Sequence, residues 1–454
     1  MPSTMPRFKT DFDKFVVLAN LERRGWESVD DYDDSWDIYW ASVGTVKNVF
    51  GADSGTRLQH GQLISHFPNH YELTRKDLMV KNIKRFQKQV RREGKPHGLT
   101  AEDLDIIPAT YVLPQDYALF VEEYRRAPNS TWIMKPSSKS QGKGIFLINK
   151  LSQIKKWSSN SSMPPALRNS SESYVVSRYV DNPLLIGGKK FDLRLYVVVT
   201  SYRPLTVYMS RLGFGRFCSA KYTTEEGELD NEFVHLTNVA IQKHAPGFDA
   251  AKGMKWSIHS LRHFMTTRHG AEASNELFHN MQNLIIRALL AVQPAMINDK
   301  HCFELYGYDI LIDQSLKPWL LEVNASPSLS ASDTSDWTLK FALLEDVLDI
   351  VDLESKREPG KIDLHMGGFD LIWDGGPVMR FDKPTSLPTM LGAYNERDRN
   401  QLRPKEDGPS HLPTQRPKRA AVSVPTSGAT SGTEGGPPQA PPGAGGAAFA
   451  ASLF

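Results

Sequence analysis

The sequence is poor in cysteine: Cys218 and Cys302 are the only two among 454 residues. Two thiols are too few for a disulfide framework or a thiolate metal site, and their scarcity favours a reducing compartment such as the cytosol. Long apolar runs are also lacking. The longest strip, Leu195 to Val199, is far too short to span a bilayer, and no charged segment leads into an apolar one at either end. The chain therefore reads as soluble and non-secreted, with no membrane partner. Nor does charge of one sign prevail: 54 basic residues stand against 52 acidic ones, so a nucleic-acid binder would have to gather its basic surface locally. What is present is a core. With 40% apolar residues the chain has material for two or three domains, which excludes a wholly disordered scaffold.

From Lys383 the composition shifts to Pro, Gly, Ser and Ala, ending in GGPPQAPPGAGGAA, and no apolar period offsets the entropy of ordering. This predicts a disordered tail over 383–454. Between Trp157 and Tyr174 the stretch SSNSSMPPALRNSSES predicts a flexible loop. Before it, TWIMKP and GIFLI read as short buried strands, and after it YVVSRYV and KFDLRLYVVV read as longer ones. Met79, Ile83, Phe86 and Val90 recur at helical spacing, and Leu277, Met281, Leu284, Ile285, Ala288, Leu289 and Val292 define a second, longer amphipathic helix. Strands and helices mix without strict βαβ alternation, and no repeats are present. The expected fold class is α+β, in two or three lobes.

The most informative stretch is YGYDILIDQSLKPWLLEVNASPS, Tyr306 to Ser328, whose two apolar runs flank Gln314 to Lys317 and predict a hairpin. A symmetric four-residue loop pairs Asp313 with Pro318, which sets Asp309 opposite Glu322, with Asn324 two residues on along the same face. Two carboxylates facing each other among Ile, Leu and Trp repel and are costly to desolvate unless a cation sits between them. Hard oxygen ligands of this kind suit Mg²⁺ held by nucleotide phosphates. Apolar residues on both faces argue against a solvent-facing hairpin with incidental acids.

In KFDLRLYVVVT, Lys190, Asp192 and Arg194 point to one face of a strand, and Phe191, Leu193 and Leu195 to the other. Alone this suits an edge strand whose charges deter aggregation; beside the hairpin it suits a polyphosphate-side surface. In WIMKPSSKSQGKGI a lysine closes an apolar strand before a polar loop with Gly142 and Gly144. Glycine lets backbone amides approach phosphate oxygens, and Lys135 could bridge them as a point charge. The loop matches neither the P-loop nor the kinase glycine-rich loop, and no HRD or DFG is present, so those two phosphoryl-transfer folds drop out.

A nucleotide site made of strand lysines, a glycine loop and carboxylates plus Asn on a late hairpin follows the logic of the ATP-grasp ligases. From His66 in HFPNHYELTRKDLMVKN through WIMKP, QGKGIFL, GGKKFDLRLYV, HLTNVAIQKH, HCFELYGYDILID and WLLEVNASPSL, the sequence resembles the tubulin-tyrosine-ligase-like family, in particular its tubulin polyglutamylase branch. The resemblance implies an N-terminal lobe over 1–125, a central ATP-grasp lobe over 126–200 and a C-terminal one with the hairpin over 201–382. It implies ATP and Mg²⁺ as cofactors. Lys135 and Lys190 would bind the phosphates or the adenine side, Gln141 and Gly142 would form the phosphate loop, and Tyr179 and Val180 would supply the adenine hinge. Asp192 would contact ribose or nucleotide, Thr237 and Asn238 would line the site, and Asp309, Glu322 and Asn324 would hold magnesium. Arg194, Arg216, Lys255 and Lys340 resemble the cations that receive carboxylates and an acyl-phosphate intermediate. By spacing alone Arg216 and Lys255 read as ordinary surface charges, and His235 as a satisfied core histidine.

Two departures from the family pattern stand out. Val239 and Ala240 follow HLTN where several members have Tyr-Ser, which leaves the choice of amino acid open, and Ser177 stands in the hinge where many relatives have Gln. The implied chemistry is transfer of free L-glutamate to the γ-carboxyl of glutamates in tubulin C-terminal tails. A glycine or tyrosine ligase on the same scaffold, or a silent microtubule-binding protein, remain as alternatives. From Arg75 to Lys95 nine basic residues stand against Asp77 and Glu93, a local charge of +7 that suits an acidic tail. Few aromatics interleave them, which disfavours nucleic acid. The absence of a long cationic domain after the catalytic body implies accessory subunits. The implied location is the cytoplasm and cytoskeleton, with the axoneme and basal body of cilium or flagellum.

Overall fold

Along KKFDLRLYVVVTSY the side chains alternate, and the two faces of the resulting strand organise the molecule. The computed structural model describes residues 5–13, 15–30, 33–51, 53–94, 96–157, 173–246, 255–331, 334–358, 362–378 and 387–393. All of these fall in one compact unit, Met1–Glu406. Among them no helix is long and apolar enough to cross a membrane.

The chain opens with β1 (Arg7–Thr10), α1 (Phe15–Arg23), β2 (Glu27–Ser28), β3 (Ile38–Trp40), α2 (Val43–Val49) and β4 (Leu63–Ile64). Next come α3 (Tyr71–Thr74), α4 (Lys76–Glu93), β5 (Thr110–Leu113), α5 (Tyr117–Arg126), β6 (Trp132–Pro136), β7 (Phe146–Ile148) and β8 (Tyr174–Arg178). Then follow β9 (Leu185–Ile186), β10 (Lys189–Tyr202), β11 (Leu205–Phe217), α6 (Glu232–His235), α7 (Val239–Gln242), β12 (Lys255–Ser257), α8 (Ile258–His269) and α9 (Ala271–Val292). The described part ends with β13 (Glu304–Ile312), β14 (Pro318–Asn324), α10 (Thr334–Val351), β15 (His365–Met366) and β16 (Phe369–Asp374).

Three sheets result. The first is parallel, in the order β2-β1-β3-β4; the second is antiparallel, β5-β8-β6-β7. The third, in the order β14-β13-β10-β11-β16-β15, is antiparallel, with β12 on β11 and β9 on β10. Mixed helix and strand agrees with the expected class, although the parallel first sheet was not foreseen.

On β10, Phe191, Leu193, Leu195, Val197 and Val199 enter one core with α4 (Met79, Ile83, Phe86, Val90) and α9 (Leu277, Met281, Leu284, Leu289). Both helices bury the faces their spacing predicts. The opposite face changes character along its length. Tyr196 and Val198 enter a second core under α1 and α10, whereas Lys190, Asp192 and Arg194 stay charged beyond it. The charged end does not lie at the surface: Lys190 and Asp192 are 6% and 3% exposed.

Three expectations are corrected. The boundary at residue 200 cuts β10, the central strand of the large sheet, and the boundary at 125 separates β5 from its partner β8. Those bounds came with the family resemblance, and sheet pairing crosses both. The expected tail start at 383 is too early, because Thr389 and Leu391 are buried and Arg262 Nη1 donates to both their carbonyls. Leu387, Met390 and Leu391 in so short a stretch between polar residues set up no sustained period, so the burial of Leu391 left no signal; residues 394–454 lie outside the described set, as do 158–172 of the expected loop. Finally, the hairpin loop pairs Ile312, not Asp313, with Pro318, and a bulge at Leu321 shifts the register so that Asp309 still opposes Glu322.

Candidate active site

Between the small antiparallel sheet and the large one lies a cavity lined by Lys135, Tyr179, Val180, Lys190, Asp192, Thr237, Asn238, Asp309 and Glu322. These are nine of the residues singled out from sequence. Lys135 is the penultimate residue of β6; its apolar neighbours Met134 and Pro136 are buried in the sheet while Lys135 lines the cavity. Desolvation, with Lys76 and Lys190 nearby, pushes Lys135 down to about 8 against the pull of Glu322 and Asp309. Lys190 is pushed down to about 8 by burial, partly countered by Cys218 and Asp192.

Lys190 Nζ donates to the Tyr179 hydroxyl and to the His235 carbonyl, each at 2.9 Å. The hydroxyl in turn donates to His235 Nδ1 at 2.8 Å, and His235 Nε2 donates to the Glu228 carbonyl at 3.0 Å. Both ring nitrogens of His235 are thus satisfied, and burial, then the Lys190 charge, push it down to about 4. It is neutral at physiological pH, which leaves it a structural role as the sequence suggested. The Thr110 hydroxyl donates to the Ser177 hydroxyl at 2.8 Å, so the departure at Ser177 leaves no unsatisfied group.

A row of charges crosses four strands. Asp192 pairs with Arg216 across β10–β11, Arg194 with Asp309 across β10–β13, and Asp309 with Glu322 across β13–β14. Arg216 Nε donates to Asp192 Oδ1 at 2.8 Å, and its Nη2 reaches Asp309 Oδ2 at 2.8 Å. Arg194 holds Asp309 through both Nε and Nη2. Burial raises the Asp309 carboxyl, but Arg194 and then Arg216 outweigh it and hold the group well below the usual carboxylate range. Gly307 makes room for this: a Cβ there would stand 3.2 Å from Arg194 Cδ and 3.0 Å from Pro327 Cβ.

Lys76 completes the row. Its Nζ lies 2.9 Å from Glu322 Oε2 and donates to the Lys139 carbonyl, just before Gln141 and Gly142, at 3.1 Å. Not all of the +7 charge between Arg75 and Lys95 is therefore available to an acidic tail, because Lys76 is buried at the first turn of α4. Lys84 is half-buried too, 4.8 Å from the Tyr111 ring centroid; Arg75, Lys81, Arg85, Lys88, Arg91 and Arg92 are exposed, and Lys95 lies outside the described residues.

The cations opposite the facing carboxylates are thus Arg194, Arg216 and Lys76, so the carboxylates are compensated without a metal. Among the described residues no group of three or more His, Cys, Asp and Glu is arranged to hold a metal ion. The set is two carboxylates and one amide, Asn324, whose Nδ2 donates to the Gly307 carbonyl at 3.3 Å. That set still fits magnesium, which keeps several waters and binds through one or two carboxylates plus phosphate oxygens. Asn324, Gln141 and Gly142 are not among the lining residues. Gln141 and Gly142 both have positive φ, 62° and 79°, and a Cβ on Gly142 would meet Ile241 Cδ1 at 2.5 Å and Asn238 Oδ1 at 3.2 Å. The loop thus packs on the Thr237–Asn238 segment, and only glycine fits there.

Arg194, Arg216, Lys255 and Lys340 stand beside the cavity. Lys255 and Lys340 converge on Asp336, which the sequence reading did not name, and Lys76 entered that reading only as one of the nine basic residues between Arg75 and Lys95. A buried network supports the segment after Asn324: Glu304 accepts from His66 Nδ1 at 2.8 Å, from the Phe67 amide at 3.1 Å and from the Tyr306 hydroxyl at 2.9 Å. His66 Nε2 lies 3.3 Å from the Ser326 hydroxyl.

Buried lysines, facing carboxylates and converging cations on antiparallel sheets make up this site, and the chain belongs to the Tubulin-tyrosine ligase family, whose pattern matches residues 56–359. It is 53% identical over 358 residues to the probable alpha-tubulin polyglutamylase Ttll1 of Tetrahymena thermophila, covering 77% of this chain and 87% of that protein. It is 46% identical over 436 residues to the probable tubulin polyglutamylase TTLL9 of Mus musculus, covering 88% of this chain and 92% of that protein. The probable tubulin polyglutamylase ttll-9 of Caenorhabditis elegans is 44% identical over 359 residues, with 78% and 81% covered.

Proposed function

We propose that this chain is an ATP-dependent ligase of ATP-grasp type that adds glutamate to the γ-carboxyl of glutamates in tubulin C-terminal tails. The carrying observation is the cavity in which Lys135 and Lys190 face the Asp309–Glu322 pair, in a chain whose relatives are named tubulin polyglutamylases.

In this reading an oxygen of the acceptor γ-carboxylate attacks the terminal phosphorus of ATP and ADP leaves, giving an acyl phosphate. The amine of free glutamate then attacks the acyl carbon and loses a proton, and phosphate departs as the isopeptide bond forms. Lys135 neutralises phosphate charge. Arg194 and Arg216, pinned by Asp309 and Asp192, present N–H donors that need no reorientation as charge develops. Lys255 and Lys340 receive carboxylates, and the apolar wall that includes Ile133, Leu236 and Leu320 limits water near the acyl phosphate. Magnesium, held by Asp309, Glu322 and Asn324, would supply charge neutralisation at the phosphate oxygens.

The exposed basic residues of α4 support an acidic peptide as acceptor. Action would follow the substrate, on microtubules of the cytoplasm and of the axoneme and basal body, with accessory subunits. The test is incubation with tubulin, Mg·ATP and labelled Glu, Gly or Tyr, with and without ciliary extract, and mass spectrometry of the tail. Transfer of glycine or tyrosine in place of glutamate overturns the proposal.

A further inference from the structure

A single carboxylate oxygen stands between two lysines from different elements. Asp336 Oδ2 lies 2.9 Å from Lys340 Nζ and 3.3 Å from Lys255 Nζ. Asp336 and Lys340 share α10 one turn apart, whereas Lys255 comes from β12 and pairs with Arg216 of β11. Lys340 also donates to the carbonyl of Ser330, in the segment that follows Asn324. Asp336 and Lys340 are 6% and 4% exposed, while Lys255 is half-buried.

Two ammonium groups drawn to one point repel, and a buried lysine without a counter-ion sheds its proton. Burial pushes Lys340 below its ordinary value; Asp336 on its own helix pulls it back up, while Lys255 from β12 and Arg194 from β10 push it down. The Asp336 carboxylate is the opposing charge in that set.

We propose that Asp336 is a positioning residue for ligation: through one shared oxygen it fixes the Lys255 and Lys340 ammonium groups at the spacing that receives a carboxylate of the incoming amino acid. This rests on the reading of those two lysines as carboxylate receivers given above. Asp336 itself touches no reacting atom. It sets where the two cations stand and keeps the buried one charged.

The test compares full-length wild type with Asp336→Asn, Asp336→Glu, Lys255→Ala and Lys340→Ala in glutamate transfer to tubulin, supplemented with ciliary extract if wild type needs it, from about pH 7 to about pH 9.5. Asp336→Asn should raise the KM for glutamate roughly tenfold or more, as expected for loss of a charged hydrogen bond, and leave the KM for ATP unchanged. Its activity should also fall on the alkaline side at lower pH than wild type, because Lys340 loses its proton sooner. Asp336→Glu should recover part of both effects. KM and the position of the alkaline limb do not depend on how much protein is folded, and Asp336→Ser serves if the Asn variant does not accumulate. A wild-type KM and pH profile in Asp336→Asn, with raised KM in both lysine variants, overturns the role of Asp336 alone. A wild-type KM in both lysine variants overturns the lysine reading, and this proposal with it.

Discussion

Asp309 and Glu322 face each other across the β13–β14 pair although the loop joining these strands is one residue out of the register that would place them so. The bulge at Leu321 makes up the difference. Side chains alternate along a strand, so without the bulge Leu321 would oppose Asp309 and Glu322 would turn to the other face. The carboxylate pair is therefore a property of one irregular residue.

Glu322→Gln keeps that geometry and removes the charge. The variant should fold and lose glutamate transfer. Transfer at the wild-type rate under saturating Mg²⁺ would remove Glu322 from the metal set.

The two cavity lysines give the site an alkaline limit. Their ordinary value of 10.5 is lowered to about 8, so ATP binding by the free protein should weaken as pH rises through about 8. Stability has the opposite sign. Between the folded value near 8 and the unfolded 10.5 the unfolded chain binds more protons, so this contribution to stability rises with pH and falls away as pH drops through the folded value. ATP affinity by calorimetry across that window checks the first part. A flat affinity would mean that neither lysine carries phosphate.

Leu391 separates two truncations. Ending the chain after residue 393 should leave the melting temperature nearly unchanged, whereas ending it after 386 removes a core leucine and two carbonyls bonded to Arg262. Leu391→Ala should cost about 2–5 kcal/mol in urea unfolding, the usual range for a buried leucine. Equal melting temperatures for the two truncations would show that the segment contributes nothing.

The exposed charges of α4 should govern association with tubulin. Changing Lys81, Arg85 and Lys88 together to Glu should weaken it sharply and leave ATP affinity unchanged. The wild-type interaction should fall steeply with salt, over a Debye length of about 8 Å at physiological ionic strength. Equal tubulin affinity for variant and wild type at low salt places the acceptor surface elsewhere.

Local patterning was legible where a single element decides the outcome. Met79, Ile83, Phe86 and Val90 repeat at the helical period, and the helix buries them; Asp309 and Glu322 lie close enough in sequence for a hairpin to join them. What escaped depends on distant pairing. Arg216 looked like a surface charge because Asp192 and Asp309, which bury it, meet it only in the folded sheet. Asp336 and Lys76 are common residue types on ordinary helices, and their links to Lys255 and Glu322 come from strands distant in sequence.

Lys76 and the exposed stripe of Lys81, Arg85 and Lys88 belong to one continuous helix of 18 residues, a stiff rod of about 27 Å. Such a rod moves as a whole. A peptide that pressed on its outer stripe would therefore also press the Lys76 ammonium against Glu322 and the Lys139 carbonyl, so binding there and alignment of the carboxylate would be coupled through one rigid element.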